Sequence, residues 1–176
     1  SLANVTSTLH VCWGAQAGLY YHYGIPKHKR EKKLSGIYHH QVLHHKVPLV
    51  RGMDDYIMAP HSRYTEVRRR DIERFPELNI LAESREAGVL LVIREDGSQI
   101  FVQGHPEYDR MTLNNEYHRD IERGLSPEVP CNYYEDNDPF GRPVLSWRNV
   151  CNTLYANWLN YYVYQTTDYI LEVDEE

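Results

Sequence analysis

A chain of 176 residues with 41% hydrophobic and 25% charged residues is long enough to bury a core and has the size of one soluble domain. Its net charge of −6 and isoelectric point near 5.9 leave no basic surplus to neutralise phosphates, which argues against nucleic acid or an anionic membrane as partner. Three cysteines, Cys12, Cys131 and Cys151, with no secretory signal ahead of them, favour reduced thiols and a cytoplasmic location over a disulfide framework, and no apolar stretch is long enough to span a bilayer.

The chain opens at Ser1 without an initiator methionine and enters an apolar run at once. It reads either as the rear part of something longer or as a chain trimmed at its front. No internal repeat or low-complexity linker interrupts it, only turn signals such as YGIP, EDGS and DNDPFGRP, so residues 1–176 are expected to form a single α/β domain. Residues 8–13 read as a buried strand. Residues 15–23 read as a helix, with Ala15, Leu19 and Tyr23 at four-residue spacing before Gly24 and Pro26 stop it.

GIYHHQVL, YIMAP, NILAES, GVLLVIRE and QIFVQG follow as strand candidates, the last two joined by the turn residues DGS. Segments 66–75 and 109–123 read as helices, the second with Leu113, Tyr117 and Ile121 on one stripe. The last helix is expected to start with Ser146 as its cap. Its core-packing face is Trp147, Val150, Cys151, Leu154, Trp158 and Tyr161. Strands mixed with helices on a largely buried sheet indicate an α/β fold, whose ligands gather at the carboxyl ends of strands.

Cys12 lies at the carboxyl end of its strand and just before the amino end of a helix, where unpaired N–H groups and the helix dipole favour a negative charge. A sharp strand-to-helix turn needs close backbone approach, which Gly14, Ala15, Ala17 and Gly18 permit. Free cysteine is also among the most buried residue types, so the position suits a core thiol as well as a nucleophile. Cys131 and Cys151 have no comparable setting and read as packing residues.

A cysteine nucleophile needs a base, and IFVQGHPEYD supplies one where an apolar strand runs out into Gly104, His105, Pro106 and Glu107. In an extended segment residues two apart point the same way. Glu107 would then hold the His105 imidazole in one tautomer, as the third member of a triad does. By itself the segment reads first as a surface histidine before a proline turn; the pairing with Cys12, since both groups fall at carboxyl ends of strands, favours the base. In YHHQVLHH, His39, His40, His44 and His45 crowd together, but an extended segment turns His39 and His40 to opposite faces and no recurring ligand spacing is present. No metal site is expected. EVRRRDIERF reads as a solvated helix face, with a basic patch for an anionic ligand as the other option.

VTSTLHVCWGAQAGLYYHYGIPK, KLSGIYHH, APHSRY, FVQGHPEYD and NWLNYYVYQ resemble, as ungapped blocks in order from about residue 4 to 168, the homoserine O-acyltransferase family of methionine biosynthesis. The resemblance implies a flavodoxin-like three-layer fold related to class I glutamine amidotransferases, incomplete on its amino-terminal side, where the family carries further strands and donor contacts. It implies a catalytic domain with Cys12 as the acyl-carrying nucleophile, His105 as proton acceptor and Glu107 as its partner. Lys33, Ser62 and Arg119 match the substrate-contacting lysine, serine and arginine. The oxyanion of the tetrahedral intermediate needs N–H donors, that of Trp13 among them. The implied substrates are L-homoserine and acetyl-CoA or succinyl-CoA, with no bound cofactor. NWLNYYVYQ packs within one chain or against a second copy in a homodimer.

Two rivals remain. A glutaminase would use the same Cys, His, Glu set, but such enzymes usually carry G-x-C-x-G, and His10 stands two residues before Cys12. The other is a catalytically silent fragment or interaction module.

Overall fold

The computed structural model describes residues 5–167. Its strands are β1 (Thr8–Val11), β2 (His28–Val42), β3 (Tyr56–Glu66), β4 (Leu78–Ser84), β5 (Gly88–Arg94) and β6 (Gln99–Val102), and its helices are α1 (Trp13–Tyr23), α2 (Arg69–Ile72), α3 (Thr112–Glu122) and α4 (Arg148–Trp158). One six-stranded sheet runs β1-β6-β5-β4-β2-β3. Among the described residues only β1 and β6 are parallel, with Val11 opposite Val102; the remaining pairs are antiparallel.

Alternation along the strands sends side chains to opposite faces, and the two central strands show it. Leu91, Ile93, Ile100 and Val102 join Leu154 of α4 in one core cluster. Val92 and Phe101 join Ala15 and Leu19 of α1 in another. The result is three layers, with α1 and α4 on either side of the sheet. A third cluster, Ile37, Leu113, Tyr133, Tyr134 and Trp147, seats α3 over the β2–β3 arm. There Cys131 crosses so close to Gly36 that a Cβ would lie 2.3 Å from the Cys131 nitrogen.

Several boundaries differ from expectation. β1 stops at Val11, and α1 already contains Trp13. β2 and β3 are far longer than their apolar segments, because HKREKK and SRYTE extend the hairpin as an arm that is mostly exposed or half-buried. The helix expected at 66–75 shrinks to the single turn of α2, since Glu66 belongs to β3. Arg68 and Arg69 of that stretch pair with Glu66, Glu73 and Glu83.

On α3, Leu113 is buried but Ile121 is 45% exposed, and the second buried position, two turns on from Leu113, is Asp120. α4 begins at Arg148 with Trp147 in the cap position and no side-chain cap bond, so Ser146 does not cap it. The chain continues past α4 as a π-helical segment, Leu159–Tyr164, with Leu159 and Tyr164 exposed.

Candidate active site

β1 ends in a strained turn. Cys12 has φ 47° and ψ −111°, a conformation that a residue with a Cβ adopts only where its surroundings hold it. Its N–H donates to the Val102 carbonyl at 2.7 Å, and its own carbonyl accepts the Gln16 N–H at 3.1 Å. Buried Gln16 is fixed in turn: its Nε2 donates to the Thr65 carbonyl at 3.2 Å and its Oε1 accepts the Thr65 hydroxyl at 2.6 Å. Trp13 opens α1, so its N–H has no acceptor within the helix. Cys12 is only 8% exposed and sits at that N-terminus, whereas the Trp13 ring lies in solvent. Close approach of α1 to the sheet is made at Gly18, where a Cβ would lie 3.0 Å from the Phe101 ring. Gly14, expected to share that role, has nothing within 4 Å of such a Cβ.

His105 leaves the sheet beside β1's end because β6 is β1's parallel neighbour. A Cβ on Gly104 would lie 2.7 Å from the Pro60 carbonyl. Only glycine lets the chain pass close enough for the His105 N–H to donate to that same oxygen at 2.8 Å. His105 and Glu107 do converge, yet through a turn rather than an extended segment: the Tyr108 N–H closes it on the His105 carbonyl at 3.1 Å. Nδ1 of His105 meets Glu107 Oε1 at 2.7 Å, which leaves Nε2 as the ring nitrogen not engaged by Glu107, with Cys12 among the groups close enough to act on the ring. Burial works against a charged imidazole here, but the Cys12 and Glu107 partners outweigh it and push His105 up to about 9. The Tyr108 ring stacks on the imidazole with centroids 4.1 Å apart.

Lys33, Ser62 and Arg119 come together around two carboxylates of α3. Lys33 Nζ donates to Asp120 Oδ2 at 2.8 Å and lies 3.8 Å from Glu116 Oε2. The Ser62 hydroxyl donates to Glu116 Oε2, and the Tyr108 hydroxyl to Glu116 Oε1 at 2.8 Å. Arg119 turns its Nε (3.1 Å) and a terminal nitrogen (2.8 Å) onto Asp120 Oδ1. Lys33 and then Arg119 hold Asp120 below the usual carboxylate range against the opposing effect of burial. A cleft of about 460 Å³ opens beside this cluster, lined by Lys33, Tyr64, Tyr117, Asp120 and Pro127. It does not include Cys12 or His105.

The model of the family described as "Homoserine O-succinyltransferase" matches residues 1–169. The chain belongs to that family. Curated relatives named "Homoserine O-acetyltransferase" include one from Lachnospira eligens, 60% identical over 168 residues and 96% of this chain, and one from Thermotoga neapolitana, 58% identical over 169 residues and 96% of this chain. These matches take in 54% and 55% of the relatives, so the chain spans about half the length of the curated relatives it matches. Among solved structures, a glutamine amidotransferase from Thermotoga maritima aligns with TM-score 0.59 at 15% identity, covering 89% of this chain and 62% of that one. Another, from Methylobacillus flagellatus, gives 0.56 at 14%, covering 86% and 61%. At such identity the likeness shows the fold, in agreement with the amidotransferase-related α/β architecture expected from the sequence.

Within this family member, Glu116, Asp120 and Tyr108 complete the cluster and escaped the sequence reading. Glu116 and Asp120 stand one helical turn apart, a spacing that puts two carboxylates on one face of α3. The apolar pattern Leu113, Tyr117, Ile121 drew attention to the neighbouring face. Of the crowded histidines, His40 is fully buried and His39 exposed, on opposite faces of β2. His40 instead meets buried His61 of β3, Nε2 to Nε2, at 3.0 Å. Among the described residues no group of three or more His, Cys, Asp or Glu could hold a metal, and no helix is long and apolar enough to cross a membrane.

Proposed function

We propose that this chain carries the catalytic centre of a homoserine O-acyltransferase that moves an acyl group from acyl-CoA to the hydroxyl of L-homoserine through an acyl-Cys12 intermediate. The observation that carries the reading is the placement of Cys12 on a strained turn against a His105–Glu107 pair, in a member of this family. A cysteine paired with an oriented base is the arrangement of an activated nucleophile.

In the first half-reaction His105 takes the Cys12 proton and the sulfur attacks the thioester carbonyl. The tetrahedral oxyanion is met by N–H groups at the α1 terminus, that of Trp13 included. Collapse breaks the bond to the CoA sulfur, which leaves with the proton from His105. In the second half-reaction neutral His105 removes the proton of the homoserine hydroxyl as its oxygen attacks the acyl-Cys12 carbonyl, a general-base role worth ~100- to 10,000-fold. The ester departs and the Cys12 sulfur is regenerated. Glu107 keeps Nδ1–H bonded throughout and so holds Nε2 as the working nitrogen.

Homoserine carries an ammonium and a carboxylate, and the cluster offers a match to both. Lys33 and Arg119 would take the carboxylate, Arg119 as a two-point fork released from Asp120, and Glu116 with Asp120 would take the ammonium. Acetyl-CoA is the donor we infer, because relatives 55–60% identical bear the acetyltransferase name. Such a biosynthetic enzyme would work in the cytoplasm, and exposed Leu159 and Tyr164 give a homodimer, tested by sedimentation, an apolar contact.

Homoserine-dependent release of CoA is the test. The reading predicts release with acetyl-CoA exceeding that with succinyl-CoA and no hydrolysis of glutamine. Glutamine hydrolysis without CoA release would favour the glutaminase alternative, which the fold likeness alone supports, and neither activity would favour a silent fragment.

A further inference from the structure

We propose that Tyr108 is a positioning residue, which holds the His105 imidazole toward Cys12 and ties it to the carboxylate of Glu116. The proposal rests on the acyl-transfer reading above and adds to it a physical link between the two residue clusters.

Tyr108 is fixed at three points. Its N–H donates to the His105 carbonyl at 3.1 Å, its carbonyl accepts the indole N–H of buried Trp147 at 2.9 Å, and its hydroxyl donates to Glu116 Oε1 at 2.8 Å. With its backbone held on both sides and its hydroxyl tied to Glu116, the ring lies nearly parallel to the imidazole, at 19° with centroids 4.1 Å apart. A π face so placed attracts imidazolium more than imidazole, so the ring both orients His105 and favours its protonated form. Burial and the Glu116 carboxylate push the phenol well above its ordinary range, which keeps it a neutral donor throughout.

The other groups around His105 are Cys12 from the β1–α1 turn, Glu107 on its own turn, and His61 from β3, which burial keeps neutral. On α4, Cys151 and Tyr155 lie within range of the Glu107 charge. On α3, Glu116 acts through Tyr108 and also accepts the Ser62 hydroxyl. Glu116 is therefore shared between the substrate cluster and the ring that holds the base. A ligand ammonium drawn to Glu116 would act on the same carboxylate that anchors Tyr108.

The test uses the whole 176-residue chain as wild type, Tyr108→Phe, Tyr108→Trp and Tyr108→Leu. His105 is titrated by NMR, Cys12 alkylation by iodoacetamide is followed against pH, and thermal unfolding is recorded for each variant. Tyr108→Leu should lower the His105 titration by about one pH unit and slow alkylation near pH 7 several-fold, and Tyr108→Trp should restore both. Tyr108→Phe keeps the stack, so its titration should stay at the wild-type position while KM for homoserine rises several-fold and kcat changes less. A wild-type titration in Tyr108→Leu would overturn the proposal, as would losses in all three variants that simply track thermal stability. Titration and alkylation need no acyl donor. Wild-type protein that never acylates Cys12 would therefore count against the acyl-transfer reading and leave the positioning result to stand or fall by its own data.

Discussion

Val11 stands opposite Val102 in the parallel β1–β6 pair, and that register carries Cys12 and His105 off the same end of the sheet. Replacing either should separate chemistry from folding. Cys12→Ala should abolish acyl transfer. His105→Asn should still accept CoA substrates but turn over ~100-fold or more slowly. Steady-state rates with far-ultraviolet circular dichroism check both, and an unchanged rate in His105→Asn would remove it as the base.

Arg119→Lys should discriminate between the half-reactions. A lysine keeps the charge but not the planar fork, so KM for homoserine should rise about tenfold or more while the rate of Cys12 acylation, read by quenched-flow mass spectrometry, stays near the wild-type value. A slowed first half-reaction would place Arg119 on the donor side.

The two buried histidines set an acid limit. Burial holds His40 down to about 3 and His61 well below its ordinary range, so both stay neutral in the fold while the unfolded chain protonates them near 6.5. Their contribution is fully present above about pH 6.5 and is lost as pH falls toward 3, at up to ~1.4 kcal/mol per pH unit for each proton taken up by the unfolded state. His105 has the opposite sign: its pairing stabilises the fold below about 6.5 and is lost as pH rises through about 9. Thermal midpoints between pH 7.5 and 5 should therefore fall, and the fall should lessen in a His40→Gln, His61→Gln double variant.

Gly36 and Gly14 should respond oppositely to alanine. At Gly36, φ is 135° and the new Cβ meets the backbone of Cys131 at 2.3 to 2.4 Å, so Gly36→Ala should cost about 3 kcal/mol or more. At Gly14 the space is open and the residue is helical, so Gly14→Ala should stabilise by up to ~1 kcal/mol. Urea unfolding of both variants checks the pair.

The sequence was most informative where apolar runs met glycine. LHVC before small residues located the strand-to-helix turn, and IFVQGH located the base, because both patterns report burial directly. The lysine-rich arm of β2 was illegible, since charged residues on an exposed hairpin carry no apolar alternation, and Lys33 entered only through the family likeness. The positive φ at Cys12, the turn that joins His105 to Glu107, and the Tyr108–Glu116 link depend on tertiary contacts with Val102, Pro60 and Trp147. No local pattern encodes contacts so distant along the chain. The short α2 turn shows the same limit, because pairing with β2 kept Glu66 in a strand despite the helix-forming residues around it.

The central claim is that Cys12 carries the acyl group, and the intact mass of the chain after incubation with acetyl-CoA, and separately with succinyl-CoA, tests it most directly. The account predicts that wild-type protein gains the mass of one acetyl group and that Cys12→Ala gains none. No gain with either donor, or an equal gain in Cys12→Ala, would contradict it.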